Sequence, residues 1–165
     1  MFVCSPGGET RAIRLFPTPL GAVEVAWSPA TGVLAGVRFA DEPAVPPGNP
    51  SGSLAGFLSG LRPFRLAGGA GTPFFREIWL HAAAVPPGTT TTYGDLARRC
   101  GCPGAARAVG RAMAANPFAL VVPCHRVVPA AGGPGAYRWG PERKLRLLAR
   151  ESGGRSAWES LSPNL

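Results

Sequence analysis

The chain has 165 residues, enough for one domain or two small ones, and 45% of them are hydrophobic, so it can bury a core. Its formal net charge is +8 and its isoelectric point is near 10.6, which suits a polyanionic partner such as nucleic acid and equally describes a basic protein without one. No apolar run approaches the roughly 18 residues of a membrane span. No leader pattern opens Met1-Phe2-Val3-Cys4-Ser5-Pro6, so the four cysteines read as reduced thiols of a cytoplasmic protein.

Residues 1–10 read as a loose terminus. Alternating apolar and polar residues then predict strands over Ala12–Phe16, Ala22–Trp27 and Val33–Phe39, separated by turns at Pro17–Gly21 and Ser28–Gly32. That is a β-meander with one face to bury. Residues 41–52, with four prolines and two glycines, read as a surface linker. A short helix follows over Ser53–Leu61, then a glycine-rich connection from Leu66 to Gly71.

Thr72-Pro73 is a helix-start signal, a capping hydroxyl followed by proline in the first turn. This helix should run to Ala84 with Phe75, Ile78, Trp79 and Ala82 on one face, and Pro86-Pro87-Gly88 stops it. A helix over Tyr93–Cys100, the turn Gly101-Cys102-Pro103-Gly104 and a second helix over Ala105–Ala115 make a helix-turn-helix plan. The second helix is small-sided apart from Arg107, Arg111 and Met113. It suits close approach to a DNA groove, or tight packing against a core. Phe118–Val122 reads as a short buried strand that stops near Pro123. Residues 129–140 form a glycine-rich loop carrying Tyr137 and Trp139, a make-up common in pocket walls. A last helix over Glu142–Glu151 is expected to turn Leu145 and Leu148 inward and Lys144 outward. Residues 152–165 read as frayed or disordered. Cys100-Gly101-Cys102 is too tight for an ordinary zinc pair, and only His81 and His125 could assist, so no metal is expected.

The chemistry concentrates in Asn116-Pro117-Phe118-Ala119-Leu120-Val121-Val122-Pro123-Cys124-His125-Arg126-Val127-Val128. A thiol must lose its proton to become a good nucleophile, and an adjacent imidazole or its water can take it. Cys-His alone is also compatible with a buried, inert cysteine. Pro-Cys-His-Arg-Val-Val preceded by Asn-Pro, however, resembles the active-site signature of the O6-alkylguanine-DNA alkyltransferases. The resemblance runs from about Thr72 to Glu151.

That resemblance implies an α/β (α+β) fold. An RNase-H-like β-sheet domain with its linker would occupy residues 1–70. A mostly helical alkyltransferase domain with a winged helix-turn-helix would occupy 71–152, and a disordered tail 153–165. It implies a protein that takes a methyl or alkyl group from O6 of guanine in double-stranded DNA, and possibly from O4 of thymine, onto Cys124, once per molecule and without a cofactor. His125 would deprotonate the thiol through a water, Glu151 would orient His125, and Asn116 would hold the turn, the logic of a hydrolase triad. Glu151 ends a helix, where an acid is electrostatically disfavoured, and a functional tie would explain the misfit.

The damaged nucleotide must leave the stack to be reached. By resemblance, Arg107 fills the gap and Tyr93 presses the target phosphate aside. Ala105, Ala106, Ala108 and Gly110 let the second helix enter the minor groove, and Arg111 meets the backbone. In the pocket, Tyr137 would donate to N3 of the guanine, and the amide of Arg138 would contact O6. The carbonyls of Cys124 and Val127 would accept from the exocyclic amine, with Met113 on the wall and Lys144 nearby. Trp139 stands where some members carry a small residue, which implies a tighter pocket that favours methyl. A monomer with no membrane association is expected. Three rivals stay open: a non-transferring alkylated-base binder, an alkylation-sensing DNA-binding regulator, and a plain cysteine hydrolase.

Overall fold

The computed structural model describes residues 2–4, 10–40, 53–61, 65–67 and 71–161. The expected linker at 41–52 lies outside the described residues. The chain divides into two units, one made of residues 1–68, 117–119 and 161–165, the other of 69–116 and 120–160. Their fold is mixed α/β, with an antiparallel sheet and a helical region.

The first unit is built on strands β1 (Phe2–Cys4), β2 (Thr10–Phe16), β3 (Val23–Trp27) and β4 (Leu34–Phe39), in the order β1-β2-β3-β4 with every neighbour antiparallel. The meander is as expected, but it gains a strand at the end read as a loose terminus: Phe2 pairs with Ala12 and Cys4 with Thr10. Alternation buries Val23 and Val25 on β3. On β4 the buried residues are Leu34, Val37 and Phe39, the first two three apart because the register slips between Ala26 and Trp27 and leaves Ala35 as an extra residue. Helix α1 (Leu54–Gly60), capped by the Ser53 hydroxyl, buries Leu54, Ala55 and Leu58. Phe57 packs against Phe16, tilted, and edge-on against Trp27, with the Arg14 guanidinium 4.9 Å from its ring centre.

The second unit opens with helix α2 (Pro73–Ala83), whose Thr72 cap and first-turn proline follow the sequence signal. Ile78, Trp79 and Ala82 are buried, while Phe75 is half-buried. Trp79 donates from Nε1 to the Ala112 carbonyl at 2.8 Å. Helix α3 (Tyr93–Arg99) is capped by Thr92, and helix α4 (Ala106–Ala114) follows the turn. Strands β5 (Thr91–Thr92) and β6 (Val127–Val128) pair in parallel, Thr91 with Val127. Helices α5 (Pro141–Glu151) and α6 (Ala157–Ser160) complete the unit.

Three further expectations are corrected. Phe118–Val122 is not a strand. Phe118 makes a single bridge to Val37, and Leu120 sits at φ 69°, the left-handed region that breaks any extended run. The local strand is β6, after the Cys-His pair rather than before it. The apolar run between Pro117 and Pro123 signalled burial, and burial does not distinguish a strand from a packed turn. The face of α5 is also rotated from expectation: Lys144 and Leu147 are buried, whereas Leu145 is 51% exposed. The rule that places lysine outside assumed no buried acceptor for it. Finally, the segment read as an unordered tail contains α6.

Candidate active site

Cys124, His125 and Arg126 form one turn of 3-10 helix immediately after Pro123, and all three are buried. β6 follows at once. Its pairing with β5, whose Thr92 caps α3, brings this turn beside Tyr93 at the start of α3. Two short strands thus register the thiol against the start of α3. Asn116, fully buried, donates from Nδ2 to the Val122 carbonyl at 2.9 Å and ties the preceding turn closed.

Beneath the thiol lies a buried charged network. His125 Nε2 is 3.1 Å from Glu151 Oε1, a contact off the ring N–H direction, and neither side chain reaches solvent. Arg126 grips the same carboxylate, Nε to Oε2 at 2.8 Å and Nη2 to Oε1 at 2.6 Å, and donates from Nη1 to the Val85 carbonyl at 2.5 Å. The main-chain N–H of Ala157 donates to Glu151 Oε1 at 2.7 Å. Burial would raise the Glu151 carboxyl, but the Arg126 and His125 contacts outweigh it and hold the group at about 2. Burial lowers His125, against the pull of Glu151, so the imidazole is neutral at pH 7 and able to accept a proton.

Burial also pushes the Cys124 thiol up, while the Asn116 side chain and the charge of Lys144 draw it down. The resting sulfur is therefore a thiol, which needs a base. Lys144 donates from Nζ to the Val127 carbonyl at 2.6 Å. Its own burial lowers it to about 8 against the pull of Cys124. Tyr137 is raised well above its ordinary value by burial and then by the neighbouring Cys124, so its phenol stays a donor. Tyr93 is half-buried and raised by the same two causes. Trp139 packs edge-on against Tyr137, ring centres 5.3 Å apart, with the exposed Arg138 5.7 Å from its own ring centre. The structure thus brings Cys124, His125, Glu151, Asn116, Tyr137, Tyr93 and Lys144 together.

Met113 is buried on α4 with Val109 and Ala112. The opposite face of α4 carries Arg107 and Arg111, both exposed, among the half-buried Ala105, Ala106, Ala108 and Gly110. A methyl group at Gly110 would meet nothing within 4 Å. No crowding among the described residues requires a glycine there.

Sequence reasoning missed Arg126. It stood in the motif, and the signal was a cation inside an otherwise apolar run, where an unpaired charge cannot remain. The contribution of Ala157 had a signal too, Ser-x-x-Glu at 156–159, a helix-start pattern. Among the described residues no cluster of His, Cys, Asp and Glu could hold a metal ion, and no helix is long and apolar enough to cross a membrane.

Residues 73–153 match the family described as "6-O-methylguanine DNA methyltransferase, DNA binding domain". The chain is 46% identical over 112 residues to the methylated-DNA–protein-cysteine methyltransferase of Salmonella typhimurium, a match spanning 66% of this chain and 65% of that protein. It is 36% identical over 146 residues to the probable methylated-DNA–protein-cysteine methyltransferase of Acanthamoeba polyphaga mimivirus, covering 82% of this chain and 93% of that one. Among solved structures it resembles Mycobacterium tuberculosis OGT in complex with DNA, at 31% identity and a TM-score of 0.68, over 90% of this chain and 97% of that one. The mimiviral match runs nearly the full length of the relative, and the family-matched segment 73–153 contains the Cys-His turn and its buried carboxylate, so the chain belongs to the methylated-DNA–protein-cysteine methyltransferase family.

Proposed function

We propose that this protein repairs DNA by direct, single-turnover transfer of a methyl or other alkyl group from O6 of guanine to Cys124. The observation that carries this reading is a buried thiol beside a neutral imidazole whose far nitrogen faces an ionised, doubly gripped carboxylate. The proton leaves Cys124 for His125 Nδ1 by way of a water, and among the described residues that buried nitrogen has no hydrogen-bond partner. Glu151 offsets the imidazolium that forms. The sulfur attacks the alkyl carbon, and the carbon–O6 bond breaks with its electron pair staying on the guanine. The proton released by the thiol ends on that base, so atoms and charge balance. A thioether is not a leaving group under these conditions, and the protein acts once.

Tyr137 donates toward the base as negative charge grows on it, which favours the transition state over the ground state. The Arg138 amide faces O6. The carbonyls of Cys124 and Val127 accept from the exocyclic amine, a second lone pair remaining on the Val127 oxygen beside Lys144. Trp139 narrows the pocket toward methyl groups.

DNA is the partner this reading requires, held through the helix-turn-helix. Arg107 enters the stack in place of the flipped nucleotide, Tyr93 displaces its phosphate, and Arg111 meets the backbone. The net charge of +8 supports a contact that weakens with salt. Recognition is by backbone and groove shape rather than base sequence, and the protein works as a cytoplasmic monomer.

The test is intact mass after incubation with a duplex carrying one O6-methylguanine. A gain of about 14 mass units, the mass of one methylene as carried by each transferred methyl, is expected with lesion DNA. It should be absent with unmodified DNA and in Cys124→Ala. Tight lesion binding without a mass gain would make the protein a non-transferring binder, and no lesion preference would favour a regulator.

A further inference from the structure

Beyond Glu151 the chain could end without touching any residue given a role above, yet it turns back on that residue. Gly154, at φ 77°, donates its N–H to the Glu151 carbonyl at 2.8 Å, and six residues after Glu151 the chain enters α6. The start of α6 is held by Glu159, whose carboxylate accepts from both the main-chain N–H and the hydroxyl of Ser156. This is the half of a capping box in which the third helical residue reaches back to the cap. The first-turn N–H groups of a helix have no partner inside it. Here that of Ala157 donates to Glu151 Oε1 at 2.7 Å, in a buried setting.

Oε1 is the oxygen that faces His125. It receives Arg126 Nη2 on one side and Ala157 N–H on another, with His125 Nε2 at 3.1 Å. Arg126 also holds Oε2, so its fork alone sets the plane of the carboxylate but leaves its pivot about the guanidinium free. A second donor, supplied by main chain, removes that freedom. We infer that the segment leading into α6 is part of the transfer centre, and that the Ala157 main-chain N–H is a positioning group that keeps Glu151 Oε1 against His125. The inference rests on the alkyl-transfer reading for its effect on rate, but not for its effect on the imidazole.

Ala157→Pro removes the N–H that Glu151 Oε1 accepts from. Proline is favoured at the first helical position, and the extended backbone of a capping residue is what proline asks of the residue before it. Ala157→Gly keeps the N–H. In single-turnover methyl transfer by the full chain, Ala157→Gly should stay within about twofold of the parent. Ala157→Pro should slow about tenfold, as the loss of one hydrogen bond to a charged group does, with lesion-DNA affinity changed less than about twofold. In a Glu151→Gln background the proline should cost less than about twofold, because the carboxylate charge that the N–H holds against His125 is gone.

Equal slowing in both backgrounds, or none in either, would overturn the inference. If Ala157→Pro does not fold, Glu159→Ala loosens the start of α6 and the same cycle applies: about threefold slowing with Glu151 and none with Gln supports the proposal, and equal slowing overturns it. The 15N shift of His125 Nε2, read in the free protein, should move in Ala157→Pro and not in Ala157→Gly. An unmoved signal overturns the inference even if the parent protein transfers nothing, an outcome that would instead sink the functional reading.

Discussion

Arg126 and Glu151 are joined by two parallel hydrogen bonds, 2.8 and 2.6 Å long, and both residues are buried. A buried pair of this kind is weak evidence of added stability, because desolvation consumes much of the attraction. What it does is fix geometry. The guanidinium fork matches the carboxylate edge to edge, and its third arm is anchored on the Val85 carbonyl.

Arg126→Lys keeps the charge but cannot supply three donors in a plane. It should lower folding stability by about 3 kcal/mol, since one partner of a buried pair is left under-satisfied, and slow single-turnover transfer at least about tenfold. Urea unfolding and quenched transfer assays read the two effects. A variant as stable and as fast as the parent would show that charge alone suffices.

Glu151 ionises at about 2 in the folded protein, below its ordinary 4.5. Between those values the unfolded chain holds the extra proton, so the stability this group confers is complete above pH 4.5 and is lost as pH falls toward 2. The amount is on the order of 3 kcal/mol. Urea midpoints at pH 6, 4.5 and 3 should fall steeply for the parent and less steeply for Glu151→Gln, the two converging at the acid end. Parallel curves would mean that other carboxylates govern acid unfolding.

Gly110 lies inside α4 with open space where a side chain would point. Alanine there should raise stability by about 1 kcal/mol through helix propensity. If α4 enters a groove, the same methyl should weaken binding to duplex DNA by about fivefold, a modest steric cost. Thermal unfolding and fluorescence titration with duplex measure the two. Stabilisation without any loss of affinity would place the DNA elsewhere.

Leu120 is buried with φ at 69°, a conformation that charges a side-chain-bearing residue about 1–2 kcal/mol. Leu120→Ala should cost about 3 kcal/mol from the emptied site. Leu120→Gly should be no worse than alanine, because glycine is unstrained there and that gain offsets the further lost methyl. Denaturant midpoints decide; the ordinary order, glycine clearly below alanine, would mean the strain is not felt.

Much of this protein was legible in its sequence because the signals are local. The cap at Thr72 and the alternation in β3 each depend on neighbours a few residues away, as does the Pro-Cys-His-Arg motif. Chain physics at that range leaves few alternatives. What only the tertiary structure decided were partnerships across long stretches of chain. Lys144 goes inward because the Val127 carbonyl waits for it, against the rule that places lysine on the surface. Phe118–Val122 folds as a turn because two prolines and a left-handed Leu120 let it be buried without a ladder. Arg126 closes on Glu151, 25 residues away, because a charge in an apolar run must find its counterion. Periodicity reports which residues avoid water. Only the assembled fold determines which buried polar group meets which, because that depends on acceptors that packing brings together.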